Sequence, residues 1–189
     1  MEKGKLVLEN GAVFGGYIFG YNDTVTGEVV FNTSMTGYQE ILTDPSYYGQ
    51  IIIMTYPLIG NYGTNDTDRE SGKVQARGLV TGHYENDWSN FNGIRSLDDY
   101  LNKNKTIGIS GIDTRALTKM IRSEGAMRGI ITREKLSDKK LIEKVMGSPK
   151  MDGQDLVKYV SSKENYVISS TSPKYKIAFY DFGIKQNIL

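Results

Sequence analysis

Val29-Val-Phe-Asn-Thr-Ser-Met-Thr-Gly-Tyr-Gln-Glu-Ile-Leu-Thr-Asp-Pro-Ser-Tyr-Tyr-Gly-Gln-Ile-Ile-Ile-Met-Thr-Tyr-Pro57 sets two apolar runs around a long polar connection. Ile51 to Met54 has neither the helical nor the alternating period, which predicts a strand buried on both faces. Pro57 cannot donate to a ladder and ends it. Val29 to Phe31 is expected to be its shorter strand partner. Between them, Met35 to Leu42 has room for one helical turn. Thr43-Asp-Pro-Ser46 has turn chemistry, because Asp44 before proline is pushed out of the helical region and Ser46 can bond nearby backbone. A connection this long and polar reads as a functional loop rather than a misread helix.

Outward from that stretch, Lys5 to Phe19 reads as a hairpin with Asn10-Gly11 at its turn, since both residues accept positive φ. Gly15-Gly16 predicts a bulge or sharp bend in the second strand. Tyr21 to Gly27 is a polar connection. Residues 60–72 carry three glycines and many short polar side chains and predict a surface loop. Asp66, Asp68 and Glu70 alternate within it but lack the glycine and glutamate spacing of a calcium loop. Val74 to Thr81 reads as a strand, followed by His83, the only histidine, with no matched acid or nucleophile and so a solvated position.

Ser96 and Asp99 form a capping-box pattern for a short helix whose buried face is Leu97, Tyr100 and Leu101. Thr106 to Ser110 is a brief strand. Asp113 caps a helix to Arg122 with Leu117, Met120 and Ile121 inward and Gly125 as its stop. That cap accounts for Asp113-Thr114-Arg115 without an anion site. Met127 to Thr132 is another strand, and Ser137 to Met146 a helix with Leu141, Ile142 and Val145 inward. Residues 1–150 are thus an α+β unit with helices expected on one side of a sheet system. Ser161 to Tyr175 is serine-rich and aperiodic, a linker. Lys176-Ile-Ala-Phe-Tyr-Asp-Phe-Gly183 is expected to open a doubly wound domain as a buried parallel strand, with a helix starting at Ile184.

Composition restricts function. The 189 residues carry 23 Lys and Arg against 22 Asp and Glu, with no basic cluster interleaved with aromatics, so nucleic acid is an unexpected partner. The absence of cysteine excludes a thiolate metal site and a cysteine nucleophile within these residues. No apolar run approaches a membrane span and the start lacks a signal-peptide core, so a cytoplasmic protein without membrane contact is expected. Thr33, Ser34 and Thr36 have no neighbouring base and are not expected to act as nucleophiles.

Phe31 to Tyr47, with Thr55-Tyr-Pro-Leu-Ile-Gly-Asn61, Gly63-Thr-Asn65, Gly108-Ile-Ser-Gly-Ile-Asp-Thr-Arg-Ala-Leu-Thr118 and Tyr180 to Leu189, resembles the glutamine-hydrolysing small subunit of carbamoyl phosphate synthetase. The likeness covers nearly the whole chain and about half of the family's usual subunit. It implies a three-layer β/β/α swivelling-type domain over residues 1–150, a linker over 151–175, and over 176–189 the first strand and helix start of a truncated class I glutamine amidotransferase domain. It also implies a heterodimer with the large subunit, which uses ATP and magnesium to make carbamoyl phosphate for pyrimidine and arginine biosynthesis from ammonia released from glutamine. By that resemblance, Ser46 in Thr43-Asp-Pro-Ser-Tyr47 is a glutamine-binding position, whereas on its own it reads as a turn residue. The family's cysteine, histidine and acidic catalytic residues have no counterpart here, so no catalytic residue, cofactor or metal is assigned to this chain. The remaining alternative is a stand-alone protein-interaction module with no catalytic role.

Overall fold

The computed structural model describes residues 2–189. Among them, nine strands and five α-helices follow one another as β1 (Glu2–Leu8), β2 (Val13–Gly20), β3 (Val25–Asn32), α1 (Tyr38–Thr43), β4 (Gln50–Met54), β5 (Leu58–Ile59), β6 (Gly78–Val80), β7 (His83–Tyr84), α2 (Leu97–Lys103), β8 (Ile107–Ser110), α3 (Thr114–Glu124), β9 (Met127–Thr132), α4 (Asp138–Met146) and α5 (Val157–Val160). Seven strands close into a barrel in the order β1-β2-β8-β6-β4-β3-β9, while β5 and β7 form a small separate pair. The β3, β4, β6 and β8 ladders are parallel, and β1, β2 and β9 complete the circle with antiparallel ladders.

Closure explains why β4 is apolar at every inner residue. Ile51 and Ile53 join Leu6, Leu8, Val29, Val80, Ile107, Ile109 and Ile131 in one cluster fed by all seven strands, which is the barrel interior. Ile52 and Met54 face the other way, into a second core with Phe19, Leu79, Tyr38 and Leu42 of α1, and Leu97 and Leu101 of α2. A strand with a core on each face cannot alternate apolar with polar residues. A third cluster joins Val7 and Ile130 to Leu141 and Val145 of α4. Leu117 and Ile121 of α3 belong to the interior set. The helices therefore serve different faces, which corrects the expectation of one helical side: a closed sheet has an outside all round and needs cover wherever that outside is apolar.

Other local expectations are corrected too. β3 is longer than β4, because Val25 to Val29 also pair with β9. Gly15 and Gly16 sit in unbroken register with Lys5 and Gly4, so there is no bulge. Gly16 instead permits close approach, since a Cβ there would lie 2.4 Å from the Ser110 carbonyl oxygen. The hairpin turn uses positive φ only at Gly11, with Asn10 accepting a hydrogen bond at Oδ1 from the Ala12 N–H. The strand expected over 74–81 shrinks to Gly78–Val80, where two parallel neighbours supply ladders. The cap expectations hold: Ser96 Oγ accepts from the Asp99 N–H at 3.1 Å and Asp113 Oδ1 from the Ala116 N–H at 2.9 Å.

Residues 176–183 form no strand, and Ile177 and Tyr180 are 83% and 89% exposed. A strand needs a paired neighbour, and among the described residues no strand is paired with this segment, which meets Ser162 and Tyr166 of the preceding irregular chain. Where helix was expected after Ile184, a single 3-10 turn spans Gln186–Ile188. No helix of the described residues is long and apolar enough to cross a membrane.

Candidate functional site

The parallel pair β3 and β4 delivers the connection between them to one end of the barrel, in register Val29 with Ile51 through Asn32 with Met54. That connection is a built structure. Gly37, at φ +85°, starts α1, and its N–H and that of Tyr38 both donate to the Tyr62 hydroxyl, at 2.6 and 3.1 Å. The Tyr38 and Tyr62 rings stack at 4.2 Å, and the Tyr38 hydroxyl donates to the Gly63 carbonyl at 2.5 Å. Burial, helped by Tyr62, pushes the Tyr38 phenol far above its ordinary range and keeps it a donor. Buried Gln39 donates from Nε2 to the Asn65 carbonyl and accepts at Oε1 from the Asn65 N–H. Thr43 Oγ1 donates to the Gln39 carbonyl and accepts from the Glu70 N–H at 2.9 Å.

The surface loop over 60–72 is thus a clamp on α1, and its acidic residues are engaged by protein groups. Asp66 pairs with Arg95 at 2.8 Å, Asp68 accepts from Asn65 Nδ2, and Glu70 accepts from Asn187 Nδ2. Glu40 faces this cluster. Burial first, and then the charges of Asp68 and Glu70, raise its carboxyl above the usual range, against the opposing effect of a backbone hydrogen bond.

The chain then turns through Asp44, whose extended ψ of 120° follows from the proline after it. A 3-10 turn spans Pro45–Tyr47, capped where Asp44 Oδ1 accepts from the Ser46 N–H at 2.9 Å. Tyr47 is tied back to β3 by Asn32 Nδ2, which donates to its hydroxyl at 2.9 Å. Thr43, Asp44 and Pro45 are buried, yet Ser46 between them and Tyr47 is exposed, with no hydrogen bond to its hydroxyl among the described residues. The turn therefore presents one short alcohol on a fixed backbone. No hydrogen bond joins that alcohol to a basic side chain among the described residues, so nothing in the turn activates it as a nucleophile.

Two contributors escape sequence reasoning. Lys185 Nζ lies 2.7 Å from Asp44 Oδ2, and Asn187 bonds Glu70, so the last residues of the chain fold back against the turn. Nothing local in either sequence marks that pairing. The remaining candidates lie elsewhere. Thr33, Ser34 and Thr36 are exposed beside α1, Asp113 serves as a helix cap, and His83 is exposed on β7 with Glu85 3.7 Å away.

Residues 6–131 match the family model described as the carbamoyl-phosphate synthase small chain, CPSase domain. The chain is similar to the carbamoyl phosphate synthase small chain of Syntrophotalea carbinolica, with 50% identity covering 99% of this chain and 53% of the relative. It is also similar to the small chain of Clostridium perfringens, at 50% identity over 99% of this chain and 52% of the relative, and to that of Aquifex aeolicus, at 48% identity over 97% and 53%. The chain spans about half the length of the curated relatives it matches.

Proposed function

Because the chain belongs to the carbamoyl-phosphate synthase small chain family, we propose that it is the part of the glutaminase subunit that docks on the large subunit and braces the amidotransferase domain. In this reading the barrel with its outer helices, residues 1–150, is the family's swivelling-type β/β/α domain. Residues 151–175 are the linker, and 176–189 begin the amidotransferase domain, whose sheet supplies the neighbours that a strand over 176–183 needs. The complete subunit releases ammonia from glutamine, and the large subunit consumes it with ATP and magnesium to make carbamoyl phosphate, in the cytoplasm.

The structural observation that supports a glutamine contact in this reading is Ser46, exposed and among the described residues without a partner for its hydroxyl, on a turn held by Asp44 and Asn32. A hydroxyl on so fixed a backbone gives and accepts one hydrogen bond at little entropic cost, which suits the polar head of a glutamine. Losing one neutral hydrogen bond costs ~0.5–1.5 kcal/mol. Ser46→Ala in the full-length subunit should accordingly raise the Michaelis constant for glutamine several-fold with a smaller loss of turnover. Unchanged glutamine kinetics would return Ser46 to its role in the turn.

Docking is tested by co-purification with a tagged large subunit. Retention is expected, and tight salt-sensitive binding to DNA without it would overturn the assignment. The chain alone should release no ammonia from glutamine, because it has no cysteine and its single histidine, His83, is remote from the turn in sequence and exposed. Turnover by the purified chain that vanishes on His83→Ala would show otherwise, and would exclude the alternative of an interaction module with no catalytic role.

A further inference from the structure

Most glycines in the barrel strands have an evident reason. A Cβ at Gly4 would stand 2.5 Å from Ile18 Cδ1, and one at Gly108 would stand 2.4 Å from Phe19 Cζ. Gly15 is different. Its φ lies outside the left-handed region, and among the described residues nothing stands within 4 Å of a Cβ built on it. A glycine inside a strand costs chain entropy and gives no side chain to pack. The missing side chain at Gly15 therefore answers to space outside the molecule and not to a neighbour within it.

That space is a groove on the outer face of the barrel. Leu6 and Leu8 point inward, so alternation puts Lys3 and Lys5 on the outer face of β1. Across the ladder to β2, Lys3 stands opposite Tyr17 and Lys5 opposite Gly15. Helices cover this face on either side, with Val7 packed under α4 and Phe19 in the core that includes α2. Between them the sheet is bare, and Tyr17 is 47% exposed. Together with the connection 132–136, these residues enclose a cavity of about 650 Å³. Small-ligand sites occupy about 300–1,000 Å³. Both edges of β1 and of β2 are already paired, so no further strand can add here.

The charge of the groove is one-sided. Lys3, Lys5, Arg133 and Lys135 line it against a single carboxylate, Glu134. Glu134 is engaged by Lys144, while Lys5 pairs with Asp138 and Arg133 with Glu2, both at 2.6 Å. Lys3 and Lys135 are exposed and pair with no carboxylate among the described residues. Two uncompensated ammoniums match a phosphate dianion, and an aromatic wall beside a floor without side chains matches a flat ring.

We propose that this groove binds a small organic phosphate, with the phosphate held by Lys3 and Lys135 and a planar ring lying over Gly15 beside Tyr17. The site is separate from the Ser46 turn and does not depend on the reading of that turn as a glutamine contact.

Nuclear magnetic resonance titration of the 189-residue chain with phenyl phosphate tests the proposal. The amides of Lys3, Lys5, Gly15 and Tyr17 should shift to saturation while those of Ser46 and Tyr47 stay in place. Benzyl alcohol, a ring without the charge, should shift none of them. Inorganic phosphate should act on the same amides with about tenfold weaker affinity. Gly15→Val fills the floor, so its melting temperature should hold or rise while phenyl phosphate affinity falls about tenfold or more. Replacing two exposed side chains, as Lys3→Gln with Lys135→Gln, should give a similar loss with an unchanged melt, and decides the matter if Gly15→Val fails to fold. Parent affinity in the folded Gly15→Val chain or in the double lysine variant overturns the site, as does a shift map centred elsewhere. A groove that ignores phenyl phosphate but takes a polyglutamate peptide on the same amides also overturns it, in favour of an acidic protein surface.

Discussion

Gln50–Met54 and the segment 176–182 are written in similar chemistry, Ile-Ile-Ile-Met in one and Ile-Ala-Phe-Tyr in the other. The first is a strand with Ile51, Ile52, Ile53 and Met54 at 0% exposure, and the second is irregular, with Ile177 at 83% and Tyr180 at 89%. The difference lies in the neighbours. β4 has a parallel ladder on each edge, to β3 and to β6, and a core on each face. An apolar run specifies that it will be buried, and its surroundings decide as what.

The sharpest test of that contrast is a matched pair of substitutions. Ile52→Asp should unfold the domain, because it forfeits ~1.5–3 kcal/mol of burial and leaves an unpaired carboxylate between α1, α2 and the barrel wall. The near-ultraviolet signal and the cooperative melt should both disappear; a normal melt would remove β4 from the centre of the fold. At the second rank, Gly78→Ala probes how tightly the wall beside β4 is packed. A Cβ at Gly78 would lie 3.0 Å from Ile131 Cδ1 and 3.3 Å from the Ile107 carbonyl oxygen. Overpacking of this kind costs about 1–3 kcal/mol and should lower the melting temperature by ~2–4 °C per kcal/mol.

A pH titration follows in size. Arg128, 8% exposed on β9, is held by Glu9 at 2.7 Å and donates to the Met146 and Ser148 carbonyls at the end of α4. Burial raises the Glu9 carboxyl, but hydrogen bonds from the Arg128 backbone and guanidinium and the charges of Arg128 and Lys150 outweigh it and hold it below its ordinary value. A depressed acid contributes stability above its unfolded pKa and loses it as pH falls through the folded one. Acidification from the ordinary glutamate value downward should therefore lower the melting temperature more in the parent than in Glu9→Gln. Parallel curves would count against the pair. The smallest effect belongs to the other region: Ile177→Asp should shift stability by less than about 0.5 kcal/mol, and the amides of 177–180 should exchange fast while those of Ile51 to Ile53 persist. Protection at Ile177 would mean that the segment finds a strand partner after all.

Much of the fold was legible locally. The unbroken apolar run of β4, the Ser96 and Asp99 box, and Asp113 with Gly125 around α3 each state their structure within a few residues. Closure was not legible, since it depends on β1 meeting β9 and β2 meeting β8, pairings that no short-range pattern encodes. Gly15-Gly16 was misread for the same reason: its partner is the Ser110 carbonyl, far along the chain. In the site, Asp44 and Pro45 announced their turn, and Ser46 stood out through family resemblance alone. Glu70 was read only as one of three alternating acids and Lys185 only within the resembling segment, and neither carried a signal for its partner, because those pairings exist only when the tail folds back.

Barrel closure also sets an order of events during synthesis. β9 completes the ladders of both β1 and β3, so the seam cannot be made until residues 127–132 have been added. The β1–β2 hairpin is formed by local contacts and leaves the ribosome first, with one edge of each strand open. At ordinary translation speeds, the hundred or so residues still to come take on the order of ten seconds. Throughout that interval the open edge of β1 is a template for another nascent chain. Lys3 and Lys5 lie on that strand, and like charges along an open edge disfavour pairing with an identical copy. In the finished molecule Lys5 pairs with Thr132 across the seam and its ammonium with Asp138 at the start of α4, so that repulsion is confined to the unfinished chain.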